Sequence, residues 1–105
     1  MRIELHDGPV RPTPAMLAFV NDRLSKAVGR FGDLVQSVRV VISDINGPKG
    51  GISTRCSLQA AVAWRGHSMV VAEDHSTDFY GAVQAASRKL KRAIGHTVDR
   101  GRAPR

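Results

Sequence analysis

Four basic residues lie close together near the end of the chain, namely Arg88, Lys89, Lys91 and Arg92, with no acidic residue among them. Arg23, Lys26 and Arg30 lie at spacings of three and four, which places them on one side of a helix. Guanidinium and ammonium groups in such stripes are suited to contacting phosphates. The competing interpretation is that they solvate the outside of two helices, and Asp22 already offsets part of the first stripe.

The charge of the whole chain supports an anionic partner. Sixteen Lys and Arg stand against nine Asp and Glu in 105 residues, a net charge of +7. Residues 87–105 hold nearly all of this excess. A balance this basic is typical of proteins that bind nucleic acid or an acidic membrane surface. Neither helix is rich in exposed large apolar residues, and the longest apolar stretches are too short to span a bilayer, so we expect no membrane partner.

Catalytic and metal-binding chemistry is not indicated. The single cysteine, Cys56, falls on the apolar face of a strand, which predicts a buried and inert thiol. Four histidines lie on separate elements without metal-ligand spacing: His6, His67, His75 and His96. The glycines of the loop at 46–51 precede a strand, whereas phosphate-binding loops open a helix. We expect no active site, cofactor, metal or small-molecule substrate, although Lys49 and Arg55 remain candidates for contacting a polyanion.

Six elements must position these residues. Alternation predicts a strand over 2–6, and Thr13 followed by Pro14 predicts a helix start. Strands follow over 35–43, 54–64 and 68–73, with a hairpin at Arg65-Gly66-His67. The last helix begins near 74–78, where Asp74 and Asp78 are capping candidates, and is expected to end at Gly95. The apolar stripes of the two helices are predicted as Leu17, Val20, Leu24, Ala27 or Val28 and Phe31, and as Tyr80, Val83, Ala86 or Ser87, Leu90, and Ala93 or Ile94.

The order β-α-β-β-β-α predicts an α+β sandwich in which two helices cover one face of a four-stranded sheet. We expect one domain over 1–96 and a basic, flexible tail over 97–105. Phe31, Trp64 and Tyr80 lie on predicted core stripes, so stacking of bases on exposed aromatic residues is not expected to be the main mode of binding. The N-terminus becomes polar at once, which argues against a signal peptide and for a cytoplasmic protein.

Two families share this element order. The double-stranded RNA-binding domain opens its last helix with a lysine cluster, whereas this helix opens with acidic residues. The chain more closely resembles the ribosome hibernation-promoting factor family, also called ribosome-associated inhibitor A, protein Y or sigma-factor modulation protein. The resemblance rests on the order of Arg11-Pro-Thr-Pro-Ala15, Val38-Arg-Val-Val-Ile-Ser43, Asp44-Ile-Asn-Gly-Pro-Lys-Gly-Gly51 with Arg55-Cys56, and Asp78-Phe-Tyr-Gly-Ala-Val83 before the basic helix. Ser53-Thr54 replaces an Asp-Lys pair of the family pattern.

The resemblance implies a non-enzymatic protein that binds rRNA of the small ribosomal subunit in the mRNA and tRNA channel. Such proteins inhibit translation under stress or in stationary phase. The implied rRNA contacts are Arg23, Lys26, Arg30, Lys49, Arg55, Arg88, Lys89, Lys91 and Arg92. Because the sequence ends at Arg105 without a dimerisation domain, we expect a short form of the family. The alternative is a protein-interaction module that regulates a transcription factor or enzyme through the open sheet face, with Arg39, Val41, Gln59, Ala61, Met69 and Val71.

Overall fold

The computed structural model describes residues 1–7, 12–46 and 52–102. The elements are β1 (Arg2–Asp7), α1 (Pro14–Val28), a 3-10 segment (Gly29–Leu34), β2 (Val35–Asn46), β3 (Ile52–Val62), β4 (Ser68–Ser76) and α2 (Phe79–Arg102). The predicted element order is therefore correct. Strand β2 extends three residues further than predicted, and β3 starts and ends two residues earlier. Residues 47–51, including Lys49, lie outside the described residues.

The four strands form one mixed sheet in the order β1-β2-β3-β4. Strand β1 runs parallel to β2, and α1 provides the crossover between them. Strands β2, β3 and β4 follow as an antiparallel meander. Helix α2 packs on β3 and β4, and α1 packs against α2. The predicted α+β fold with both helices on one sheet face is confirmed.

The core lies between the sheet and the helices. The sheet side of the core consists of strand residues at alternate positions. Among them are Val38, Val40, Cys56, Leu58 and Ala60, all with no exposed surface. Val35 is also buried, although its odd spacing from Val38 would place it on the opposite face of a regular strand. The register shifts between Val35 and Ser37. This bulge adds one residue to β2, so that both valines face the helices.

Helix α1 begins as the sequence predicts. The hydroxyl of Thr13 accepts a hydrogen bond from the backbone N–H of Met16 at 3.1 Å, and Pro14 occupies the first turn. The α-helix ends at Val28, and the chain continues as the 3-10 segment, in which Gly32 adopts φ 56°. Leu17 is 45% exposed, so its place on the predicted apolar stripe is wrong.

Helix α2 begins later than the sequence suggests. The carboxylate of Asp78 accepts a hydrogen bond from Gly81 N–H at 2.7 Å and caps the helix. Asp74 lies on β4, so its assignment to the helix start is wrong. The first residue of α2, Phe79, is buried at 8% exposure, whereas the next residue, Tyr80, is 43% exposed. The prediction that Tyr80 belongs to the core is therefore wrong by one position.

The predicted end of α2 at Gly95 is also wrong. The helix continues to Arg102, and Val98 is 2% exposed because it packs into the core. Burial of Val98 stabilises a turn that glycine alone would weaken by about 1 kcal/mol. Residues 97–102 are thus helical rather than a frayed tail, and 103–105 lie outside the described residues. The division into a domain over 1–96 and a tail stays a prediction.

Candidate nucleic-acid interface

A groove runs along the outer surface where α1 and α2 meet. Its larger part, of about 500 Å³, is lined by Arg30, Arg88, Lys91, Arg92, Gly95 and His96. A smaller adjoining depression of about 140 Å³ is lined by Arg23, Lys26, Ala27, Gln84, Ser87, Arg88 and Lys91. Arg88 and Lys91 line both parts, which makes the groove continuous. The sequence spacing explains this arrangement, because residues three and four apart share one side of a helix.

The cations of α1 are partly neutralised. Asp22 Oδ2 lies 3.1 Å from Arg23 Nη2 and 3.3 Å from Lys26 Nζ. The hydrogen bond from Lys26, with further contributions from the charges of Lys26 and Arg23, lowers the pKa of Asp22. The carboxylate therefore stays ionised at neutral pH and competes with any anion that approaches this end of the groove.

The cations at the other end carry no such partner. Among the side chains that the structure describes, those of residues 1–6, 12–44 and 53–98, no carboxylate forms an ion pair with Arg30, Arg88, Lys91 or Arg92. The guanidinium of Arg30 lies over the Phe31 ring, with 4.8 Å from Cζ to the centroid, which holds it beside the groove. Like charges concentrated in a cleft raise the local positive potential and attract anions. This end of the groove is the strongest candidate for binding phosphates.

Two of the nine predicted site residues are not in the groove. Lys89 lies on the β4 side of α2, where its Nζ is 3.4 Å from Asp74 Oδ2 and 3.3 Å from the Glu73 carbonyl oxygen. Arg55 lies on β3, with its Nε 3.6 Å from Glu73 Oε1. Lys49 lies outside the described residues. The remaining six, Arg23, Lys26, Arg30, Arg88, Lys91 and Arg92, are brought together.

The sequence interpretation missed several groove residues. His96 continues the spacing of Arg88 and Arg92 by one more turn, and only the mistaken helix end at Gly95 concealed it. Gln84 and Ser87 line the smaller depression; from the sequence, Ser87 is only an alternative to Ala86 on the apolar stripe, and Gln84 is not a candidate. Beside the groove, Tyr80 meets Phe19 edge to face, with 4.9 Å between ring centroids. The sequence would have predicted an exposed Tyr80 only if the neighbouring Phe79 had been assigned to the apolar stripe of α2 instead.

The remaining chemistry-bearing groups of the described residues do not form a second site. Cys56 is fully buried, so its predicted burial is confirmed, and burial raises the pKa of its thiol to about 12. In the part of the chain that the structure describes, no three potential metal ligands lie together. Within the same residues, no helix is long and apolar enough to cross a membrane.

The fold and the groove together define a small α+β domain that presents unpaired cations along the seam of its two helices. A profile of the family described as sigma 54 modulation protein / S30EA ribosomal protein matches residues 3–102. The chain belongs to this family, and the resemblance drawn from its sequence motifs is confirmed.

Comparison with one solved structure supports the same fold. The N-terminal domain of Protein Y from Thermus thermophilus superposes with a TM-score of 0.74 at 21% identity, covering 92% of this chain and 99% of that domain. A putative lipoprotein from Caulobacter crescentus CB15 gives a TM-score of 0.44 at 11% identity, covering 98% of this chain and 93% of that one. No curated protein matches the chain significantly.

Proposed function

We propose that this protein binds the small ribosomal subunit in the mRNA and tRNA channel, contacts rRNA phosphates through the groove between α1 and α2, and thereby inhibits translation. Membership of a family described as containing an S30EA ribosomal protein supports a ribosomal partner. The observation that carries the proposal is the set of four groove cations, Arg30, Arg88, Lys91 and Arg92, without a carboxylate partner among the described residues.

The proposed mechanism is binding rather than catalysis. Electrostatic attraction brings the basic face to the RNA, and the rigid sandwich then fits between RNA walls by shape. Many modest phosphate contacts give affinity that depends strongly on salt and can be reversed. Occupying the channel excludes mRNA and tRNA, which suits a cytoplasmic hibernation factor acting under stress or in stationary phase.

Sedimentation of a stationary-phase lysate through sucrose gradients at low and high salt tests the proposal. We expect the protein to travel with small subunits or whole ribosomes at low salt and to be released at high salt. Addition of the purified protein to a translation reaction should lower peptide synthesis in proportion to subunit occupancy. A protein that stays at the top of the gradient at both salt concentrations contradicts the proposal.

A second candidate function rests on the open face of the sheet. Met69 and Val71 of β4 are 62% and 55% exposed, and both lie on the face that the helices leave uncovered. Such residues suit a protein partner, and the sigma 54 modulation in the family description agrees with a transcription factor. Binding through this face would depend weakly on salt and would be lost in a Met69→Ser, Val71→Thr variant. The ribosome proposal predicts no loss for that variant.

A further inference from the structure

An aromatic pair lies at the end of the seam between α1 and α2, next to the smaller basic depression. Tyr80 is 43% exposed, although it packs against other aromatic rings. It is held between two phenylalanines, with its centroid 4.9 Å from that of Phe19 and 5.4 Å from that of Phe79, and both contacts are T-shaped. The ring is therefore fixed in position and still open to solvent.

Tyr80 belongs to the same face of α2 as the groove. Gln84, Ser87, Arg88 and Lys91 follow it at spacings of four, seven, eight and eleven residues, which return to one side of a helix. Ser87 lies about 10 Å further along the helix axis than Tyr80. On α1, Phe19 is followed by Arg23 at a spacing of four. From the start of α2 onward, the side chains along this seam between α1 and α2 are thus first aromatic, then polar and then basic.

The polar middle of the seam holds two buried groups without hydrogen-bond partners. Ser87 is 4% exposed, and its Oγ has no partner among the described residues. Arg23 donates from Nη2 to Asp22, but its buried Nε has no acceptor within the part of the chain that the structure describes. Leaving such groups unsatisfied costs about 1–3 kcal/mol each. Both residues line the 140 Å³ depression, which is several times the ~30 Å³ share of one water.

We propose that this seam is a binding site for unpaired nucleotides of a single RNA strand, in which a base stacks on Tyr80 and an adjacent phosphate occupies the depression. Stacking needs an exposed ring, and Tyr80 supplies one. The phosphate accepts hydrogen bonds from Ser87 Oγ–H and Arg23 Nε–H after a long lining side chain such as Lys26 rotates. Arg88 and Lys91 supply the charge that pairs with it. The inference rests on the proposed RNA-binding function and specifies single-stranded rather than duplex RNA at this end of the groove.

The test compares two ligands and three forms of the full-length protein. The ligands are a single-stranded hexaribonucleotide and an abasic hexamer with the same sugar-phosphate backbone. The proteins are wild type, Tyr80→Leu and Tyr80→Phe. We expect Tyr80→Leu to weaken hexamer binding by about 5- to 150-fold, the equivalent of about 1–3 kcal/mol for one stacked base. Tyr80→Phe keeps the ring and should bind as wild type, and the abasic hexamer should bind all three proteins equally.

Tyr80 is the only tyrosine in the chain, so its ring signals in an NMR spectrum identify themselves. Addition of the hexamer should shift these signals, and addition of the abasic hexamer should not. Ser87→Ala should weaken binding of both ligands while raising the melting temperature, because it removes an unsatisfied buried hydroxyl. A purely structural serine would not change ligand affinity.

Three results overturn the inference: no hexamer binding by the wild type, equal affinity of wild type and Tyr80→Leu for the hexamer, or tyrosine signals that do not move. Sedimentation of the same variants with small subunits separates this failure from failure of the proposed function. If wild type sediments with subunits in a salt-dependent way while the tyrosine signals stay unchanged, only the nucleotide site is refuted. If the hexamer binds on Tyr80 but no subunit is bound, the ribosome proposal fails and the nucleotide site stands.

Discussion

Removing the unpaired charge of the groove should flatten the salt dependence of ribosome binding. The variant replaces Arg30, Arg88, Lys91 and Arg92 with Gln, the four groove cations that no described carboxylate neutralises. Each phosphate contact contributes about 0.7–0.9 to the slope of log K against log salt concentration, so four contacts contribute about 3. Between 50 and 200 mM salt, wild type should therefore lose about 60-fold more affinity than the variant.

A control variant with the same change in net charge separates the groove from the overall charge. It replaces Arg39, Arg55, Arg65 and Lys89 with Gln. Arg39 and Arg55 lie on the open sheet face, Arg65 lies in the hairpin, and Lys89 faces β4. The ion pairs lost with Arg55 and Lys89 are exposed and contribute little to stability. We expect this control to retain the wild-type slope.

The assay is pelleting of purified small subunits through a sucrose cushion at four or more salt concentrations between 50 and 200 mM. Bound protein is measured by blotting, and circular dichroism verifies that each variant is folded. The reasoning is refuted if the groove variant keeps the wild-type slope. It is equally refuted if both variants lose the same slope, since binding would then depend on total charge rather than on the groove.

Three further predictions follow from particular contacts. Gly81→Ala should lower the free energy of unfolding by about 1–3 kcal/mol in urea titrations, because the new Cβ would lie 3.0 Å from Ser76 Cβ on β4. Helix propensity alone predicts the opposite, so a raised urea midpoint of unfolding contradicts this reasoning. Cys56 should react with a thiol reagent only as fast as the protein unfolds, and rapid labelling of the native protein would show that the thiol is accessible. Asp22→Asn should tighten subunit binding at pH 7, because the lowered pKa of Asp22 keeps its carboxylate ionised beside Lys26. Since that pKa lies below 3.8, the affinity of wild type for the subunit should approach that of the variant only below about pH 4.

The prediction of the fold succeeded because one face of each strand is apolar and buried against the helices. Alternation at Cys56, Leu58, Ala60 and Val62 fixed the inward side of β3, and all four are buried. Thr13 and Pro14 fixed the start of α1 through local hydrogen bonding and a restricted φ angle. These signals act between residues close in the chain, so they can be detected without knowing the partners across the core.

The errors came from contacts between distant residues. Glycine at position 95 predicts a helix end, but packing of Val98 against the core carries α2 onward to Arg102. Adjacent aromatic residues at 79 and 80 fit the apolar stripe equally well, and only the position of the sheet beneath α2 selects Phe79 for burial. The sequence likewise offered no reason to separate Lys89 from its basic neighbours, whereas the proximity of β4 pairs it with Asp74.

The sequence by itself determined the family, the element order and the two basic stripes, because each follows from motif order, apolar periodicity or residue spacing within one element. The placement of both helices on one sheet face also followed from the element order, whereas the tertiary structure decided which side chains of the two stripes line one groove. The tertiary structure also decided that Arg55 and Lys89 are neutralised, since their ion pairs depend on distances of 3.6 and 3.4 Å to carboxylates on a different element, β4. The groove is therefore a property of how α1 packs against α2, and neither helix carries it alone.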